Sequence, residues 1–178
     1  MDIESRGKTL LFAMNGGMFT KDFTPLGLYI KNEEILSPIK KAISRYGNFY
    51  MPPNGIFYVD KEGNADVAIT QNFKNNSTVN YATQSGPMLV HNDTLNSNFG
   101  PQSTSLHVRN GVGILPNGNA LFAMSKVRVN LYATADFFKA REYKNLLYLD
   151  GFVSRTFLPS KIFEQTDGQF GVMIVEVE

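Results

Sequence analysis

Glycine, proline and asparagine punctuate this chain at short, even intervals from end to end. That spacing leaves room for many short strands and few helices. The apolar runs between the breaks predict strands at Thr9–Met14, Gly27–Lys31, Gly55–Asp60, Ala65–Thr70 and Pro87–His91. Further strands are predicted at Ser105–Arg109, Gly111–Leu115, Ala120–Ser125, Leu146–Asp150 and Phe170–Val177. Pro116-Asn117-Gly118-Asn119 predicts a tight hairpin turn, because Asn-Gly tolerates positive φ. Asp60–Asn64 predicts a second, looser hairpin, and the polar stretch Gln71–Tyr81 predicts a surface loop. Helical spacing of Leu131, Ala135 and Phe138 predicts a helix over Leu131–Tyr143, capped by Asn130 or Thr134. A weaker helix is predicted over Ile35–Tyr46, with Pro38 in its first turn. The expected fold class is therefore α+β: a single domain over residues 1–178, with a mainly antiparallel multi-stranded sheet and few helices.

Bulk properties narrow the function. The 178 residues suffice for one full core. A formal net charge of +1 argues against a broad nucleic-acid or membrane-surface footprint. Absence of cysteine excludes thiolate catalysis, thiolate metal sites and disulfides. No apolar stretch approaches the ~20 residues of a membrane span. Met1–Arg6 lacks the basic-then-apolar order of a secretion signal.

The segment Tyr148–Phe157 carries the richest chemistry. The apolar run Leu146–Leu149 reads as a buried strand that ends on Asp150, followed by Gly151, Ser154 and Arg155. An acid held at a strand end, with a hydroxyl and a guanidinium close behind, suits an anionic substrate; an ordinary turn with a surface ion pair has the same composition. Asn15-Gly16-Gly17 follows a strand and could cradle an oxyanion with backbone N–H groups, or simply form a tight turn. Gln84 and Ser85 precede a Gly-Pro bend and stand either at a cleft edge or in a plain bend. Strand alternation would place His107 and Arg109 on one face, Arg109 as a fork for phosphate or carboxylate and His107 as a proton carrier. Lys126, Arg128 and Asn130 would share another face, either solvated or adding to an anion field. The two histidines, His91 and His107, lack zinc-type spacing, and no phosphate-binding Gly-x-x-x-x-Gly-Lys loop occurs. No cofactor is expected, and a divalent cation on carboxylates and amides stays open.

Four of these motifs, Asn15–Phe19, Gln84–Val90, Arg109–Gly113 and Tyr148–Arg155, occur in the order and spacing of the phosphodiester glycosidase domain family. The resemblance is closest to bacterial members and spans about Leu10 to Leu158. It implies hydrolysis of a sugar-1-phosphodiester at the glycosidic C–O bond. The partner would be a phosphorylated carbohydrate or a sugar-nucleotide-like small molecule. On this reading Asp150 and Arg109 are catalytic. Asn15, Gly16, Gly17, Ser154 and Arg155 hold the substrate with Arg109, and Gln84, Ser85 and Asn110 complete the binding set. The chemistry suits these types: a phosphate monoester leaves readily, so the site needs phosphate-holding groups and one carboxylate near the anomeric carbon. A second carboxylate would fall to Asp136 or Glu33. Two alternatives stay open, a non-catalytic phosphoglycan-binding module and a phosphodiesterase that cuts P–O. The family's animal pattern continues past the aspartate with glycines and serines, whereas Phe152 and Val153 intervene here, which opens the question of the sugar. Relatives carry more strands before the first motif, which implies a shortened form, and they are commonly exported.

Overall fold

The computed structural model describes residues 7–44, 46–141, 143 and 145–178. The reading of Met1–Arg6, like Arg45 and Glu142 within the two predicted helices, lies outside the described residues. Fourteen strands run in chain order: β1 Leu10–Asn15, β2 Tyr29–Lys31, β3 Glu34–Ser37, β4 Gly55–Asp60, β5 Ala65–Ile69, β6 Val79–Ser85 and β7 Met88–His91. They continue as β8 Thr94–Leu95, β9 Asn110–Ile114, β10 Ala120–Met124, β11 Leu146–Tyr148, β12 Thr156–Leu158, β13 Phe163–Glu164 and β14 Met173–Val177. One α-helix, α1, covers Leu131–Lys139. The strands form three antiparallel sheets, ordered β13-β12-β1-β14, β10-β9-β11-β7-β8 and β3-β2-β6-β4-β5. Few helices and mostly antiparallel sheet make this an α+β fold, as the punctuation requires.

Alternation along β11 shows how the layers meet. Leu147 and Leu149 face one core with Met14, Phe57, Val67, Met88 and Val112, drawn from all three sheets. Leu146 and Tyr148 face the other way, against Ala135 and Phe138 of α1. A strand buried on both faces reads as a continuous apolar run, which is what Leu146–Leu149 shows. The helix begins where Asn130 accepts from the Ala133 N–H at 2.8 Å, satisfying one of the donors orphaned at a helix start. Both predicted hairpins form: β9 and β10 pair around Gly118 at φ 86°, and β4 and β5 around Gly63 at φ 87°.

Three expectations give way. Ile35–Tyr46 is not a helix: Glu34–Ser37 pairs with β2, and irregular chain follows across the described residues. Pro38 disfavours helical angles at Ser37, which keeps the segment extended, and its missing N–H cannot continue the ladder, so the strand ends there. The predicted loop Gln71–Tyr81 gives way at Val79 to β6, a central strand pairing with both β2 and β4. Its polar residues Thr83, Gln84 and Ser85 are buried, which masks the period-2 pattern. Ser105–Arg109 is not a strand, and only an isolated bridge joins His107 to Val129.

Candidate active site

The three sheets come together at strand ends. Asn15 closes β1, Asn110 opens β9, and Ser85 closes β6. All three reach the segment that leaves β11. Asn110 Oδ1 accepts the Asp150 N–H at 3.0 Å. Asn15 Nδ2 donates to the Asp150 carbonyl at 3.3 Å, and Ser154 Oγ donates to the same carbonyl at 2.7 Å. Ser85 Oγ donates to the Leu149 carbonyl at 2.6 Å. The two asparagines are tied together, Asn110 Nδ2 to Asn15 Oδ1 at 2.7 Å, and that oxygen also accepts the Arg155 N–H at 3.0 Å. Asn15, Asn110, Ser85 and Ser154 are all buried. A buried amide stripped of water needs every partner, so such a network fixes one backbone path.

What the network holds up is the Asp150 carboxyl. It is half-buried, and Oδ1 accepts the Phe152 N–H at 3.1 Å. Burial pushes this carboxyl above the ordinary aspartate range; the Phe152 and Gly151 N–H groups and then the charges of Arg109 and His107 pull the other way. Gly151 is required by close approach: a Cβ there would run into the Tyr148 hydroxyl and the Arg109 side chain.

Arg109 is buried behind this turn. Its Nη1 donates to Tyr148 Oη at 2.6 Å, Nε to the Val129 carbonyl at 3.3 Å, and Nη2 to the Ser105 carbonyl at 2.9 Å. The guanidinium also lies 5.3 Å from the Tyr148 ring centroid. These contacts offset the cost of burying a cation. Burial likewise pushes the Tyr148 hydroxyl up to about 12, so it stays protonated.

The motifs thus converge, with their polar atoms turned toward the protein. Asn15, Asn110, Ser85 and Ser154 fasten the Asp150 segment rather than lining an open cleft. The fork of Arg109 is engaged by Tyr148, Val129 and Ser105. Gly16 spends its N–H on the Val172 carbonyl at 2.9 Å and packs against Val172, while a Cβ at Gly17 would strike Thr83 Oγ1 and the Gln84 carbonyl, so the glycines let the chain leaving β1 pass close to β14 and β6. Gln84 sits on the opposite face of β6 from Ser85; its Oε1 accepts the Leu28 and Lys40 N–H groups at 2.9 and 3.0 Å. Arg155 brings its backbone to the network, while its guanidinium pairs with exposed Asp167 at 2.7 and 3.0 Å. Asp136 lies exposed on α1, and Glu33 pairs with Lys61 at 2.6 Å; neither is among the charges acting on Asp150. Among the described residues, no group of three or more His, Asp or Glu gathers as a metal centre. Lys126 and Arg128 are exposed, but Asn130 is buried as the helix cap and leaves their stripe.

Sequence reasoning passed over Tyr148 and Phe152. Tyr148 was hidden in an apolar run, where its hydroxyl gave no signal. Phe152 looked like an interruption, yet it is 84% exposed beside Asp150.

The phosphodiester glycosidase family pattern matches residues 8–172. The chain belongs to the phosphodiester glycosidase family. It is 41% identical over 160 residues to the uncharacterized protein YigE of Escherichia coli (strain K12), covering 88% of this chain and 61% of that protein. In fold it is similar to the catalytic domain of zebrafish N-acetylglucosamine-1-phosphodiester alpha-N-acetylglucosaminidase, a structure auto-inhibited by its pro-peptide. The TM-score is 0.63 at 17% identity, with 97% of this chain and 63% of that chain covered. A hypothetical protein from Synechocystis gives 0.57 at 14% identity, covering 94% of this chain and 51% of its own. The chain therefore spans somewhat under two thirds of these relatives. No helix among the described residues is long and apolar enough to cross a membrane.

Proposed function

We propose that this phosphodiester glycosidase family member hydrolyses the glycosidic C–O bond of a sugar-1-phosphodiester, with Asp150 as the carboxylate at the anomeric carbon. One observation supports this above the rest: side chains from the ends of three sheets converge to fix the backbone of a single half-buried aspartate. Positioning of that kind is what a reacting group needs and an ordinary turn does not. Burial raises the carboxyl's proton affinity, which makes its ionised form a stronger base toward water or a better partner for the positive charge that develops on the sugar ring. Arg109 acts from behind as a fixed buried charge that favours the ionised form of Asp150 and opposes part of the upward push of burial. Arg155, on the surface in its pair with Asp167, is the guanidinium available to an incoming phosphate by exchange of partners. Because phosphate departs without much protonation, one carboxylate suffices for the step, consistent with Asp136 and Glu33 standing apart.

Turnover of a sugar-1-phosphodiester in ¹⁸O-labelled water tests the reading. Label is expected in the released sugar. Label in the phosphate would establish P–O cleavage instead, and tight binding without turnover would leave a phosphoglycan-binding module.

A further inference from the structure

The Phe152 side chain belongs to none of the three hydrophobic clusters of the described residues. It is 84% exposed, although a fully buried phenylalanine would stabilise the protein by roughly 1.5–3 kcal/mol. Its position is nevertheless fixed, since its own N–H binds Asp150 Oδ1 at 3.1 Å. The ring leans on His107, with centroids 6.2 Å apart and planes tilted by 57°. His107 is itself held at both backbone groups by Val129, at 3.1 and 2.8 Å. Leu106, next to His107, and Val127, two residues before Val129, are 48% and 67% exposed. An aromatic ring is thus backed on one side, open on the other, and tethered through its backbone to the carboxylate.

We infer that Phe152 is a specificity-determining platform on which the apolar face of the substrate's sugar ring stacks beside Asp150. The inference rests on the proposed glycosidase reading. The sugar is the occupant that chain proximity selects: the ring stands two residues from Asp150, and its own backbone N–H binds that carboxylate, so it lies near the anomeric carbon on which the carboxylate acts. A pyranose presents C–H groups on one face, and these pack on an aromatic ring as other apolar surface does. Phosphate, which needs donors, would be held elsewhere.

Phe152→Ala and Phe152→Tyr test this, each by turnover of a hexose-1-phosphodiester and by saturation-transfer NMR with glucose 1-phosphate and with N-acetylglucosamine 1-phosphate. Phe152→Ala is expected to raise KM and weaken sugar-phosphate binding about tenfold or more. Binding of inorganic phosphate and the melting temperature should not change, because the side chain is exposed. Phe152→Tyr is expected to restore wild-type values within a few-fold. Equal KM and equal sugar-phosphate affinity for wild type and Phe152→Ala would overturn the platform, as would an Ala variant that weakens phosphate and sugar phosphate alike. The two readings separate cleanly. Wild type that binds sugar phosphates through Phe152 without turnover loses the glycosidase reading alone. Turnover that ignores Phe152 loses the platform alone.

Discussion

Two buried amide clamps in this protein use the same chemistry to different ends. Gln84 and the Asn15–Asn110 pair are each 1% exposed. Gln84 spends its amide on Leu28, Lys40 and Thr70, tying a loop to the third sheet. The asparagine pair spends its amides on Asp150 and Arg155, tying down a turn that carries an ionisable group. Energetically the two look alike, since either leaves stripped polar groups if cut. They differ in what is held. A buried amide in a motif therefore signals a fastened backbone, and function is read from the group the fastening presents.

The sharpest way to break this contrast is to remove the presented group. Asp150→Asn is expected to lose about 10²–10⁴-fold in kcat or more while folding normally, checked by turnover of a chromogenic sugar-1-phosphodiester and by circular dichroism. Retained activity would leave the asparagine clamp with no more meaning than Gln84. Next come the clamps themselves. Asn110→Ala and Gln84→Ala should each cost about 1–3 kcal/mol in chemical denaturation, because each strands buried partners. Only Asn110→Ala should also lower kcat of the protein that remains folded, about tenfold or more if the carboxylate drifts by an ångström. Equal activity loss in both variants would dissolve the distinction.

The pH dependence sharpens it further. Since burial holds the Asp150 carboxyl above its ordinary range, the acid limb of kcat/KM is expected above that of an exposed aspartate. The same direction governs stability: a raised carboxyl contributes stability at low pH that is lost as pH rises through its folded value. Asp150→Asn should therefore melt higher than wild type at neutral pH, with the gap closing in acid. A variant that melts lower at neutral pH would show the carboxylate to be structural. The smallest effect belongs to the surface. Asp167→Ala releases an exposed, solvent-screened ion pair and should leave the melting temperature essentially unchanged. It should also lower KM modestly if Arg155 turns to phosphate.

Much of the architecture was legible because punctuation and period-2 alternation are local. The strands on either side of Asn117-Gly118, the helix capped by Asn130 and the apolar run before Asp150 all stand where those patterns put them. β6 was not legible, because buried Thr83, Gln84 and Ser85 read as loop residues until their distant partners are known. The gathering of motifs around Asp150 was foreseen through resemblance, but the direction in which each side chain points was not. Arg109 looked like a free fork, and only the fold supplies Tyr148, Val129 and Ser105 to occupy it.

The sequence by itself determined a many-stranded α+β protein of this family and the aspartate that follows an apolar strand, since both follow from residue order within a few positions. Tertiary structure alone decided which polar groups face substrate and which face the chain. That choice depends on partners 40 to 140 residues away, such as Asn110 for the Asp150 N–H and Asn15 for the Arg155 N–H, and no local pattern encodes them.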